Sequence, residues 1–81
     1  MKILWDEQRR LANIHEHDVD FARVGERYFS AALVRRSRCG AWAVIGWVDG
    51  FVAVIVMTCS DESVTIVSAR AATCNERKLF E

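Results

Sequence analysis

The sequence predicts an α+β domain, helices packed on an antiparallel sheet, and three observations carry that prediction. Apolar residues recur at helical spacing as far as Phe29, the period changes to that of strands from Ala32 onward, and Thr73 followed by Glu76 has the capping-box spacing of a terminal helix. Amphipathic helices and an antiparallel sheet each have one apolar side, and laying one on the other buries both.

The elements follow in order. Lys2 to Trp5 is a short apolar β segment, and Asp6 is suited to cap a helix running to about His17, with Leu11 and Ile14 on its buried stripe. Asp18 interrupts it. A second helix starts after the cap Asp20, placing Phe21, Val24, Tyr28 and Phe29 on one face, and Gly25 weakens it. Strands are expected over residues 32–38, 41–48, 51–58 and 64–70. They are joined by turns at Cys39-Gly40, at the two residues Asp49-Gly50, and through Ser60, Asp61 and Glu62. The expected architecture is a four-stranded antiparallel β-meander with two N-terminal helices and a C-terminal helix. Residues 41–57 carry a single charge and approach the length of a membrane span, but Asp49-Gly50 at their centre marks a hairpin, so no membrane association is expected.

Eighty-one residues make one domain, 1–81, near the size at which a partner often completes the burial. The net charge of zero excludes a chain that is, as a whole, an electrostatic magnet for nucleic acid or anionic membrane. Any such role falls to a local patch. Nine of the eleven basic residues are arginines, and Arg35, Arg36 and Arg38 crowd one segment, where they suit bidentate contacts to phosphate or carboxylate, or blunt a sheet edge. The three cysteines, Cys39, Cys59 and Cys74, are odd in number, and no charged-then-apolar leader precedes them, so free thiols in the cytoplasm are expected. With His15 and His17 they form none of the close pairs of a zinc site, and neither metal nor cofactor is expected. Trp42, Trp47 and Phe51 surround the central hairpin, either as core or as an interface to a second copy, giving a homodimer, or to a partner helix.

Arg70 stands where the last strand ends and a helix begins. A permanent cation there either receives a phosphate or bridges to a neighbouring carboxylate.

Two spaced signatures frame the chain. Trp5, Asp6, Asn13, His17, Val19 and Phe21 spell W-D-x6-N-x3-H-x-V-x-F, and Ser68, Arg70, Ala72, Thr73, Glu76 and Arg77 spell S-x-R-x-A-T-x2-E-R. In this combination, over essentially its full length, the chain resembles the BrnT family of small toxins of type II toxin–antitoxin systems. The resemblance implies a RelE-like fold, ribonuclease activity on an RNA substrate, and neutralisation by a BrnA-like antitoxin.

Metal-free cleavage of RNA needs a base for the 2′-hydroxyl proton, an acid for the leaving oxygen and cations for the phosphate. Arg70 matches the family's tail arginine as a phosphate clamp. His17 matches its histidine, as acid or base or, alternatively, as a cap on the last helical turn. Arg38 is either a third catalytic group or a solvated edge charge. Arg36, Arg27 and Glu26 are candidate RNA contacts, the last two equally readable as an exposed helix face.

Departures accompany the matches. Glu16 and Asp18 flank the histidine where the family usually has a basic residue and a glycine; Ala41 and Ala43 stand where basic residues are usual; Met57-Thr58-Cys59-Ser60 replaces a segment that often holds an arginine; and Phe80 stands where tyrosine is common. They leave open a second reading, a diverged homologue that only binds antitoxin or joins a repressor complex.

Overall fold

Alternation of side chains organises the sheet, because every second residue of a strand faces the same side. The computed structural model describes residues 2–60 and 62–80, without the side chains of Arg38, Thr58, Cys59 and Ser60. Its elements are β1 (Lys2–Trp5), α1 (Glu7–His17), a 3-10 turn (Phe21–Arg23), α2 (Glu26–Ala31), β2 (Leu33–Arg36), a 3-10 turn (Arg38–Gly40), β3 (Trp42–Trp47), β4 (Phe51–Ser60), β5 (Ser63–Ala71), α3 (Cys74–Arg77) and a final 3-10 turn (Lys78–Phe80).

The α+β class stands, but the expected meander is one strand short. The sheet has five strands in the order β1-β5-β4-β3-β2, and β1 lies parallel to β5, from Lys2 beside Ser63 to Trp5 beside Ile66. A parallel partner this far away in sequence leaves no turn signal by which to recognise it. The second expected helix is also corrected. Asp20 caps only the 3-10 turn, accepting from Ala22 N at 2.9 Å, while Gly25 is the N-cap of the separate α2. Glycine is costly inside a helix and tolerated at its start, so the chain breaks there.

Smaller corrections follow the same physics. Leu11 is 55 % exposed, and the buried residue of α1 is Asn13. The hairpin loop spans Val48, Asp49 and Gly50 rather than two residues, because Trp47 pairs directly with Phe51. Of the turn expected through Ser60, Asp61 and Glu62, Asp61 lies outside the described residues, and Ser60 is the last residue of β4. Among the described residues no helix is long and apolar enough to cross a membrane.

The main core lies on one face, where Phe21, Val24 and Tyr28 pack on Val44, Val52, Val54, Val56, Ile66 and Ala69. Complete burial of a side chain such as Phe21 or Ile66 stabilises by about 1.5–3 kcal/mol. Tyr28 sits over Gly46, where an added Cβ would come within 2.9 Å of its ring. Its hydroxyl reaches Val44 O at 2.7 Å and Val52 O at 2.6 Å, and burial pushes its pKa up. The opposite face carries a smaller cluster of Ala43, Ile45 and Ala53, with Ile55 and Ala72 against it. That face is covered only in part.

Candidate functional site

Strand β5 is gripped at two successive residues, once on each side. Because β1 ends at Trp5 beside Ile66, the outer edge of Ala69 has no strand neighbour. Asn13 of α1 supplies what the strand would have: its Oδ1 accepts from Ala69 N at 3.0 Å, and its Nδ2 donates to Ala69 O at 2.9 Å. The amide also donates to Val19 O at 2.8 Å and its oxygen lies 3.3 Å from Ser68 Oγ. Trp5, Asp6 and Phe21 belong to the same fixture. Trp5 and Phe21 meet edge to face with centroids 6.4 Å apart, Phe21 is fully buried, and Asp6 caps α1 through Gln8 N at 2.8 Å.

Arg70 is the next residue along and faces the other way. Its cross-strand partner is Ala53, whose partner is Ile45, whose partner is Leu33, so it lies on the less-covered face. Glu76 meets it fork to fork, with Nη1 to Oε1 at 2.7 Å and Nη2 to Oε2 at 3.1 Å, and Nη1 also donates to Ala71 O at 3.3 Å. Glu76 is itself pinned by the capping box: its Oε1 accepts from Thr73 N at 2.9 Å, and its amide donates to Thr73 Oγ1 at 3.2 Å.

The two groups stabilise each other's charge. The hydrogen bonds from Arg70 hold the Glu76 carboxyl down at about 2, against an ordinary 4.5, and the same bonds push the arginine pKa up. One edge of the guanidinium is therefore taken. The other, formed by Nε–H and the second Nη2 proton, has no hydrogen-bond acceptor among the described residues, and the side chain is 35 % exposed. It has the geometry for two oxygens of one oxyanion.

The remaining predicted residues are spread around the fold. His17 ends α1, exposed, with Nε2 4.0 Å from Glu16 Oε2, and it shares no hydrogen bond or ion pair with Arg70 among the described residues. The last helical turn is closed by Asp18, left-handed at φ 57°, through its amide to Ile14 O at 2.9 Å. Arg38 lies in the turn after β2, its side chain outside the described part. Arg36 pairs with Trp42, sits 5.5 Å from its ring centroid, and faces the main core side, opposite to Arg70. Arg27 and Glu26 are exposed on α2, which packs on that same side through Tyr28.

Two residues were not among the candidate site residues, although Arg35 was named with its basic neighbours Arg36 and Arg38. Arg35 pairs with Ala43 of the smaller cluster and so shares a face with Arg70; counting by twos from the apolar Leu33 is the signal that finds it. Asn13 stood inside a signature yet was given no role, and a polar residue facing a strand edge has no sequence mark of its own. Two clefts lie elsewhere and do not include Arg70. One of about 260 Å³ is lined by Asp18, Asp20, Arg23 and Asp49, and one of about 300 Å³ lies beside Arg9, Asn13, Glu16 and Ser68. Cys39 and Cys74 are free and exposed, and no group of three or more His, Cys, Asp or Glu side chains among the described residues could hold a metal ion.

With this geometry in view, residues 5–76 match the family model described as the ribonuclease toxin, BrnT, of type II toxin-antitoxin systems. The structure is similar to the 1.1 Å crystal structure of the Brucella abortus ribonuclease toxin, BrnT, at 33 % identity and a TM-score of 0.83, covering 90 % of this chain and 97 % of that one. No curated protein matches.

Proposed function

The chain belongs to the BrnT family of ribonuclease toxins of type II toxin–antitoxin systems, and from that premise we propose that it cleaves RNA without a metal, using Arg70 as the phosphate clamp, and that a BrnA-like antitoxin neutralises it. The observation that carries this reading is the divided guanidinium. Glu76 fixes one edge of Arg70 and leaves the other presented on an open sheet face.

Chemically, the 2′-oxygen attacks the adjacent phosphorus while the bond to the 5′-oxygen breaks, and charge builds on the two non-bridging oxygens. A bidentate, pre-positioned guanidinium serves that charge best, because it needs no reorganisation as the reaction proceeds. His17 is assigned the proton transfer, from the 2′-hydroxyl or to the leaving oxygen, and Arg38 a supporting cation. Arg35 extends the basic track on the Arg70 face. Arg36, Arg27 and Glu26, on the helix-covered side, are assigned contacts with RNA away from the scissile phosphate.

Purified protein incubated with bulk RNA in a chelating buffer tests this. Cleavage by the wild type and a loss of about 10²- to 10³-fold in Arg70→Ala are expected, the usual scale for removing one donor to a developing oxyanion. Equal cleavage by both proteins removes Arg70 from the chemistry. No cleavage by a folded wild type transfers support to the second reading, an inactive partner-binding homologue, which is favoured by Glu16 lying 4.0 Å from His17.

A further inference from the structure

The aromatic cluster at the hairpin end of the Arg70 face is not needed to complete either core. Trp47, the last residue of β3, is 65 % exposed, the most of any large apolar side chain among the described residues. It is not loose. Its ring meets Phe51 edge to face with centroids 5.0 Å apart, Phe51 is backed by Phe80 at 5.0 Å, and the Arg77 guanidinium lies 5.9 Å from the Phe51 centroid. The cluster holds a large indole in one orientation and leaves most of it in water.

Register places this ring on the same face as Arg70, two strands away. Trp47 pairs with Phe51, Ala53 follows two residues on along the same face, and Ala53 pairs with Arg70. From strand spacing and rise, the two Cα atoms are about 12 Å apart, a gap that a short single-stranded segment bridges. We infer that Trp47 is a stacking platform for a nucleobase of single-stranded RNA, next to the phosphate held by Arg70.

The charge around the ring favours this occupant. Arg77 lies against the aromatic cluster, Arg70 and the more distant Arg35 share its face, Glu76 is already bonded to Arg70, and Asp49, in the loop beside Trp47, is ion-paired with Arg23. A polyanion carrying aromatic bases matches cations interleaved with an exposed ring, and unpaired bases stack on tryptophan whatever their sequence. The inference deepens the ribonuclease reading, and only its placing of the base next to a held phosphate rests on Arg70.

Two probes separate base from phosphate: a short 2′-O-methyl oligonucleotide, which lacks the attacking hydroxyl and so survives, and its abasic counterpart. Binding is followed by fluorescence anisotropy for the wild type, Trp47→Leu, Trp47→Phe and Arg70→Ala. Trp47→Leu is expected to weaken the intact oligonucleotide about tenfold and to leave the abasic one unchanged, whereas Trp47→Phe keeps most of the affinity. Arg70→Ala weakens both. If Arg70→Ala weakens both probes but Trp47→Leu binds the intact one as tightly as the wild type, stacking is overturned and the phosphate clamp stands. If Arg70→Ala changes neither, the clamp falls, and selective loss in Trp47→Leu upholds stacking by itself. An intact affinity unaltered in Trp47→Leu, together with a dimer that dissociates to monomer in sedimentation, assigns the ring to a self-interface and overturns the proposal.

Discussion

Asn13 and Arg70 each fasten β5 at neighbouring positions, yet they are used in opposite ways. Every hydrogen-bonding partner of the Asn13 amide is supplied by the protein, three of them backbone groups, and the side chain is buried. Arg70 has one edge bonded to Glu76 and one edge without an acceptor among the described residues, at a half-open surface. A saturated polar group specifies where an element goes. A half-saturated cation of fixed orientation is a place for a ligand. The N-terminal signature is thus mainly a description of how α1 is attached to the sheet, and the tail signature a description of how one arginine is aimed.

The largest expected effect is on the saturated side. Asn13→Ala leaves the amide and carbonyl of Ala69 without partners at a buried strand edge, which should cost about 3 kcal/mol in urea unfolding. Cleavage per folded molecule should be unchanged; a variant as stable as the wild type would mean that Asn13 does not hold α1 to β5. Gly46→Ala probes the packed face without touching the open one. The new methyl meets the Tyr28 ring at 2.9 Å, and that ring is held by its hydroxyl and cannot withdraw. About 2 kcal/mol of destabilisation is expected, with the proposed RNA binding at Arg70 unaffected.

The smallest effect concerns Glu76. Its folded carboxyl is depressed from 4.5 to about 2 by Arg70, so the pair stabilises the fold fully above the ordinary carboxylate value, and that stabilisation is lost as pH falls from 4.5 toward 2. With Arg70 part-exposed and the pair screened, about 1 kcal/mol is at stake. Thermal melts across this window should show the loss in the wild type and a flatter profile in Glu76→Gln. Parallel profiles would mean that Glu76 does not hold the arginine.

Local chemistry was legible in the sequence and non-local pairing was not. Thr73 and Glu76 announced their capping box, Asp6 its helix and Asp49-Gly50 a hairpin, because each feature is decided within a few residues. The parallel β1–β5 pair and the Asn13 bridge join residues more than fifty apart, and no spacing encodes them. The stripe assigned to Leu11 and Ile14 holds only at the half-buried Ile14, for a related reason: α1 offers β5 an amide, from Asn13, and Leu11 is left in water. Arg70 was singled out from its junction, but its bonding to a carboxylate could be settled only once Glu76 was folded back upon it. On β2, Arg35 and Arg36 are indistinguishable in composition, and only the register tells which shares the face of Arg70.

In the proposed reaction the Nε/Nη2 edge of Arg70, and not merely its positive charge, engages the phosphate. RNA cleavage by Arg70→Lys, compared with the wild type and Arg70→Ala at matched folded concentration, tests it most directly, since lysine keeps the charge and cannot present two parallel donors. Arg70→Lys is expected to lose at least about tenfold in cleavage rate, nearer to the alanine variant than to the wild type. Full activity in Arg70→Lys would contradict it.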